Sequence, residues 1–151
     1  MRRADRFPAA LLALIAAAPA PACTISSAGV AFGAYNPRAT GADDVTGTIS
    51  VACAPSVSAP VVQLSTGQSG SYSTRRLEAG SWDLNYNLYT NTARTTVWGN
   101  GTGGSQSQTL SGGTVSGGQR RFSRTVYGRI PALQNVGVGS YSDTVVMTVI
   151  F

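Results

Sequence analysis

Six carboxylates, eleven arginines and two cysteines supply the charge and redox chemistry of this 151-residue sequence, which has no histidine and no lysine. Without an imidazole there is no Ser-His-Asp or Cys-His catalysis, and no histidine-based metal site or pH switch. Two cysteines alone complete neither a zinc site nor an iron–sulfur cluster. Beyond the N-terminal segment the acids are Asp43, Asp44, Glu78, Asp83 and Asp143. Glycoside hydrolysis needs two carboxyls across a cleft, and Glu78 with Asp83 is the one close, separated pair. Asp43 and Asp44 follow Thr40, Gly41 and Ala42 and read as a turn, with too few oxygen donors nearby for calcium. Residues 99–104 match G-x-G-x-x-G by letter, but no helix follows and no acid stands about twenty residues on to hold a ribose. No catalytic residue, metal site or cofactor is expected; the chain reads as a non-enzyme.

The first 22 residues read as an address. Arg2, Arg3 and Arg6 make a basic start, and residues 9–18 are Ala and Leu with one Ile. That run is too short to span a bilayer core of roughly 30 Å as a helix. Pro19 and Pro21 then break any helix, and Ala20 and Ala22 supply the small residues of a cleavage site, which describes a secretory signal peptide cut after Ala22. Lipoprotein processing at Cys23 is disfavoured, because the three preceding residues lack the usual Leu. Removal of the leader takes three arginines and one acid with it, so much of the formal +5 charge belongs to the leader. The rest (Arg38, Arg75, Arg76, Arg94, Arg120, Arg121, Arg124 and Arg129) are scattered and read as solvated surface rather than a nucleic-acid face. No transmembrane segment is expected after residue 22. Export also decides the cysteines: in an oxidising compartment Cys23 and Cys53 are expected to form a disulfide.

The elements that carry these residues are strands. Charged residues make up only 11% of the chain and there are 18 glycines, a composition for turns and short strands rather than helices. Period-two alternation places Val45, Ile49, Val51 and Cys53 on one face and Thr46, Thr48 and Ser50 on the other. Residues 60–65 make a short apolar strand. Residues 83–89 put Leu84, Tyr86 and Leu88 inward, with Asn85, Asn87 and Tyr89 outward. Phe122, Val126 and Ile130 mark a strand over 121–130, with Tyr127 at its edge. Residues 99–118 are Gly-rich and read as a flexible hairpin or loop. In the last strand, 141–151, Val145, Met147, Val149 and Phe151 share one face, yet Val146 and Ile150 make the other face apolar too. Either a loop covers that strand in part, or it borders a groove that another chain fills. An all-β fold follows, a single antiparallel sandwich over 23–151.

Seven segments in order, CTI at 23–25, GVAFGAY at 29–35, GTISVAC at 47–53, LNYNLY at 84–89, ARTTVWG at 93–99, VYGRIP at 126–131 and GSYSDTV at 139–145, resemble the spore coat protein U domain family, found also in archaic chaperone–usher pilus subunits. The resemblance implies an immunoglobulin-like sandwich that is incomplete, missing one strand. A periplasmic chaperone lends that strand, an outer-membrane usher exports the subunit, and a neighbouring pilus subunit replaces the strand in the fibre. It implies the Cys23–Cys53 disulfide and assigns residues 143–151 to the partner-facing strand, with Val145, Met147, Val149 and Phe151 toward the groove. The expected function is an adhesive or structural pilus subunit at the cell surface. With cleavage ahead of Cys23 and residues 24–32 needed as the domain's own first strand, it accepts a strand without giving one, at a fibre end. The alternatives are a free secreted carbohydrate-binding module using Tyr35, Tyr72, Trp82, Tyr89, Trp98 and Tyr127, or a coat protein polymerising without a chaperone.

Overall fold

The computed structural model describes residues 23–27 and 29–151; the leader assigned to residues 1–22 lies outside them. In chain order the strands are β1 (Cys23–Ser27), β2 (Asp43–Cys53), β3 (Val61–Leu64), β4 (Arg75–Ala79), β5 (Trp82–Tyr89), β6 (Gln108–Thr109), β7 (Thr114–Ser116), β8 (Gln119–Ile130) and β9 (Met147–Ile150), with a single 3-10 turn at Gly67–Ser69 among the described residues. The larger sheet runs β1-β2-β8-β5-β4 with β7 also on β8, and the smaller runs β6-β3-β9. Every strand pairing is antiparallel. The core between the sheets takes Ile49, Val51, Phe122, Val126, Leu84 and Leu88 from one side and Val62 and Leu64 from the other, each worth about 1.5–3 kcal/mol of burial.

Expectations about the course of the chain change in places. Asp43 and Asp44 are not a turn: they open β2, and Asp44 stands directly opposite Arg129 of β8. Residues 99–118, read as a flexible hairpin or loop, do hold a hairpin: β7 returns to β8 through Gly117 and Gly118, both at positive φ, the backbone a two-residue hairpin demands. The stretch is also anchored, with Leu110 buried and its N–H donating to the Pro60 carbonyl. The last strand begins only at Met147, because Ser142 instead bridges to Glu78 of β4.

The largest correction is Arg75, which is not solvated but fully buried. Its guanidinium donates to the Ser65 carbonyl at 2.7 and 3.1 Å, to the Trp98 carbonyl at 2.7 Å and to Asn87 Oδ1 at 2.6 Å. Asn87, expected outward, is turned in by this contact, and its amide donates to the Tyr72 carbonyl at 2.8 Å. The Tyr72 ring lies 5.4 Å from the guanidinium carbon. Desolvation lowers the Arg75 pKa, and only hydrogen bonds on most of its donors make such burial tolerable. Arg75→Met leaves buried carbonyls without their donor and is expected to cost about 3–5 kcal/mol, read from the urea midpoint. Arg75→Lys keeps the charge but not the planar fork and should recover less than half of that loss.

Asp44 accepts two hydrogen bonds of 2.7 Å from Arg129, with Arg94 at 3.3 Å. The Arg129 bonds hold its pKa below the ordinary 3.8. A lowered carboxyl pKa stabilises the fold above the unfolded value, and that contribution disappears as pH falls through the folded one. The melting-temperature gap between wild type and Arg129→Gln should therefore be level above about pH 5 and close below 3.8.

Candidate functional site

β9 is an edge strand of the small sheet, and its free side borders a cavity. It pairs with β3 from Leu64↔Met147 to Val61↔Ile150, and among the described residues no strand pairs with its other edge. The Ser65 N–H donates to the Val146 carbonyl at 2.8 Å; since antiparallel pairs alternate, the backbone groups of Met147 and Val149 point away from β3. Their side chains point inward, and Val145, Met147 and Val149 are half-buried against the core. Phe151 does not join them. It is 64% exposed and lies one residue past the last paired position of β9, Ile150 opposite Val61. On the outer face Val146 and Ile150 are 60% and 51% exposed, so none of the described residues covers that face as a loop.

Beside the open edge lies an apolar cavity of about 320 Å³. Leu88 and Val126 floor it, Val145 and Met147 form one wall, and Val30 and Phe32 form the other. A second cavity of about 530 Å³, toward the loop at 136–141, shares Val30, Phe32 and Leu77 with the first. The wall at 29–32 was expected to be part of the first strand, but the strand ends at Ser27 and this segment packs by side chains alone. Two glycines make room for it: a Cβ on Gly47 would fall 2.7 Å from the Gly29 carbonyl oxygen, and one on Gly128 2.7 Å from Phe32 Cζ. Phe32 then meets Tyr86 edge to face at 5.7 Å.

Asp143 stands at the mouth of the smaller cavity. Its Oδ2 accepts the Tyr86 hydroxyl at 2.7 Å and its Oδ1 the Gln68 N–H at 2.9 Å. Gly67 must lack a side chain here, since a Cβ would collide with the carboxylate. Burial, with the hydrogen bond to Asp143 adding to it, pushes the Tyr86 pKa far up, so the phenol stays a donor. Sequence reading passed over Asp143 as one of five unremarkable acids; its signal was its place at the head of the strand's inward run.

The other candidates are placed as follows. Cys23 and Cys53 are directly opposite in β1 and β2 and form the disulfide; closing its loop is worth about 3.5 kcal/mol in the chain-entropy model. Glu78 and Asp83 face each other across β4 and β5, with Arg76 on Asp83 at 2.6 Å. Trp98 is buried, its indole N–H on the Val62 carbonyl; Tyr72 lies against Arg75, Tyr127 against Arg94, and the Tyr35 hydroxyl donates to Pro131. Trp82 is 46% exposed, whereas Trp98 is fully buried and cannot serve as a contact surface. Gly128→Ala is expected to lower stability by about 1–3 kcal/mol through overpacking on Phe32 and Val30, and a Phe32→Ala background should relieve part of that loss in urea unfolding.

Residues 9–148 match the Spore Coat Protein U domain. Protein U of Myxococcus xanthus is 35% identical over 147 residues, spanning 86% of this chain and 78% of that protein. In fold, a chain of the CsuC–CsuE chaperone–tip adhesion subunit pre-assembly complex, from archaic chaperone–usher Csu pili of Acinetobacter baumannii, superposes with a TM-score of 0.61 at 21% identity. That likeness takes in 85% of this chain but 39% of the other, and it speaks to the sandwich alone. With the domain matched across nearly its whole length and a relative at this identity, the chain belongs to the Spore Coat Protein U domain family.

Proposed function

We propose that this chain is an exported subunit of a chaperone–usher surface pilus, whose sandwich over residues 23–151 is incomplete and takes one strand from another chain. The observation that carries the reading is the unpaired edge of β9 beside an apolar cavity. An extended segment laid there would satisfy the outward backbone groups of Met147 and Val149 and drop alternate side chains onto Leu88 and Val126, which is strand addition. A periplasmic chaperone would lend the strand first, an usher would pass the subunit outward, and a neighbouring subunit would replace the loan. Residues 1–22 act as the export signal in this reading, and the disulfide suits the oxidising compartment it leads to. The chain works as a scaffold, not an enzyme.

The same reading makes the subunit an acceptor at a fibre end. Residues 23–27 are held in β1 along their whole length and tied to β2 by the disulfide, which does not leave them free to insert elsewhere. A donor needs roughly ten exposed residues, at about 3.3 Å each, to seat four or five side chains. Val149→Asp, or removal of residues 147–151, should reduce co-purification with the cognate chaperone at least about tenfold, while the unaltered chain expressed without chaperone should aggregate. A soluble Val149→Asp variant that still co-purifies at the wild-type level would place the recognition surface elsewhere.

A further inference from the structure

Asp143 is the one charged side chain in the lining of the smaller cavity. Its two hydrogen bonds come from neutral donors, Tyr86 and Gln68, and among the described residues it is in no ion pair. Arg75, the cation whose field reaches it, is engaged with Ser65, Asn87 and Trp98. While the cavity is open, water solvates this carboxylate. A strand laid along β9 would remove that water, and a carboxylate sealed among apolar side chains without a countercharge costs several kcal/mol. The molecule nevertheless fixes Asp143 there by three separate devices: the Tyr86 hydroxyl, the Gln68 N–H and the missing side chain of Gly67.

We infer that the strand filling this groove carries a basic side chain, Arg or Lys, aligned with Asp143, at one end of an otherwise apolar inward-facing run. This rests on the groove reading above and adds to it the chemistry of the occupant. Asp143, Thr144, Val145 and Met147 all line the cavity, ahead of and at the start of β9; four residues at about 3.3 Å each put the basic residue at most roughly 13 Å, about four positions, from the one facing Met147. Pairing parallel to β9 puts it toward the donor's N-terminal end, and antiparallel pairing toward its C-terminal end.

The probes are three synthetic twelve-residue strands with Val inward and Thr outward. One replaces the first inward Val with Arg, one replaces the last, and the third carries norleucine at both places. Each labelled peptide is supplied in excess while the disulfide-bonded chain refolds from urea, so that the groove is not left empty, and fluorescence anisotropy reads the affinity of the soluble complex. One arginine peptide should bind at least about tenfold tighter than the norleucine peptide, and that preference should shrink between 0.05 and 0.5 M salt. In Asp143→Asn it should fall to within about twofold. Should that variant not fold, the arginine–norleucine comparison and its salt dependence on the wild-type chain still decide. Norleucine binding as tightly as both arginine peptides overturns the basic-residue inference and leaves the groove standing. Binding by none of the three overturns the groove reading itself.

Discussion

The buried guanidinium of Arg75 is the constraint on which the rest of the arrangement depends. It belongs to β4 of the large sheet, yet two of its donors hold Ser65, the residue just past β3 of the small one. Alongside it the Trp98 indole holds Val62 and the Tyr72 hydroxyl holds Leu64, both within β3. Three side chains thus fasten one short strand to the opposite face of the sandwich. A four-residue strand is marginal by itself, and β9 has no partner except β3. The groove's height and the direction of its open edge are therefore set by a polar cluster well inside the protein. Hydrophobic packing alone is non-directional and would not fix β3 in register; a planar cation with several aimed donors does.

The two sides of the groove are held in different ways. The floor consists of β2, β8 and β5, joined by the long β2–β8 pairing from Asp43↔Ile130 to Cys53↔Arg120. The wall at 29–32 has no ladder and is seated by fit, Val30 and Phe32 lying over Gly47 and Gly128. Shape complementarity of that kind is sensitive to single methyl groups, which explains glycines in the middle of two central strands where they otherwise weaken pairing.

Much of the large sheet was legible from alternation. Ile49, Val51 and Cys53, Leu84, Tyr86 and Leu88, and Phe122, Val126 and Ile130 all point into the core as their spacing says. What period and composition could not reveal was any element whose role comes from a distant partner. Arg75 and Arg76 are adjacent and chemically identical; one is buried and the other makes an exposed pair with Asp83, a difference set by strand parity and by carbonyls far away in sequence. Asn87 follows Arg75 inward against its own strand's alternation. The glycine-rich stretch looked loose because Leu110 is its one buried large apolar side chain; backbone pairing holds it instead, with β6 on β3, β7 on β8 and Gln106 on Val97 and Gly99. Phe151 continues the inward parity of β9 but lies beyond the last paired residue, and parity has no meaning where the sheet has ended.

The apolar residues on both faces of β9 take on a physical sense in this setting. An edge strand with an exposed apolar surface is an aggregation hazard that most proteins blunt with charge, proline or a covering loop. β9 has none of these: its residues are Met147, Thr148, Val149 and Ile150. In the proposed strand-acceptor reading, pairing requires that the edge stay free and the inward side chains stay apolar, so the usual protections are incompatible with the position. A carboxylate just ahead of the strand, at Asp143, is a protection that remains compatible, since it keeps the open groove solvated at one end without interrupting the edge. It also penalises any apolar segment that settles there without a countercharge, including a second copy of β9 itself, whose own four residues are uncharged.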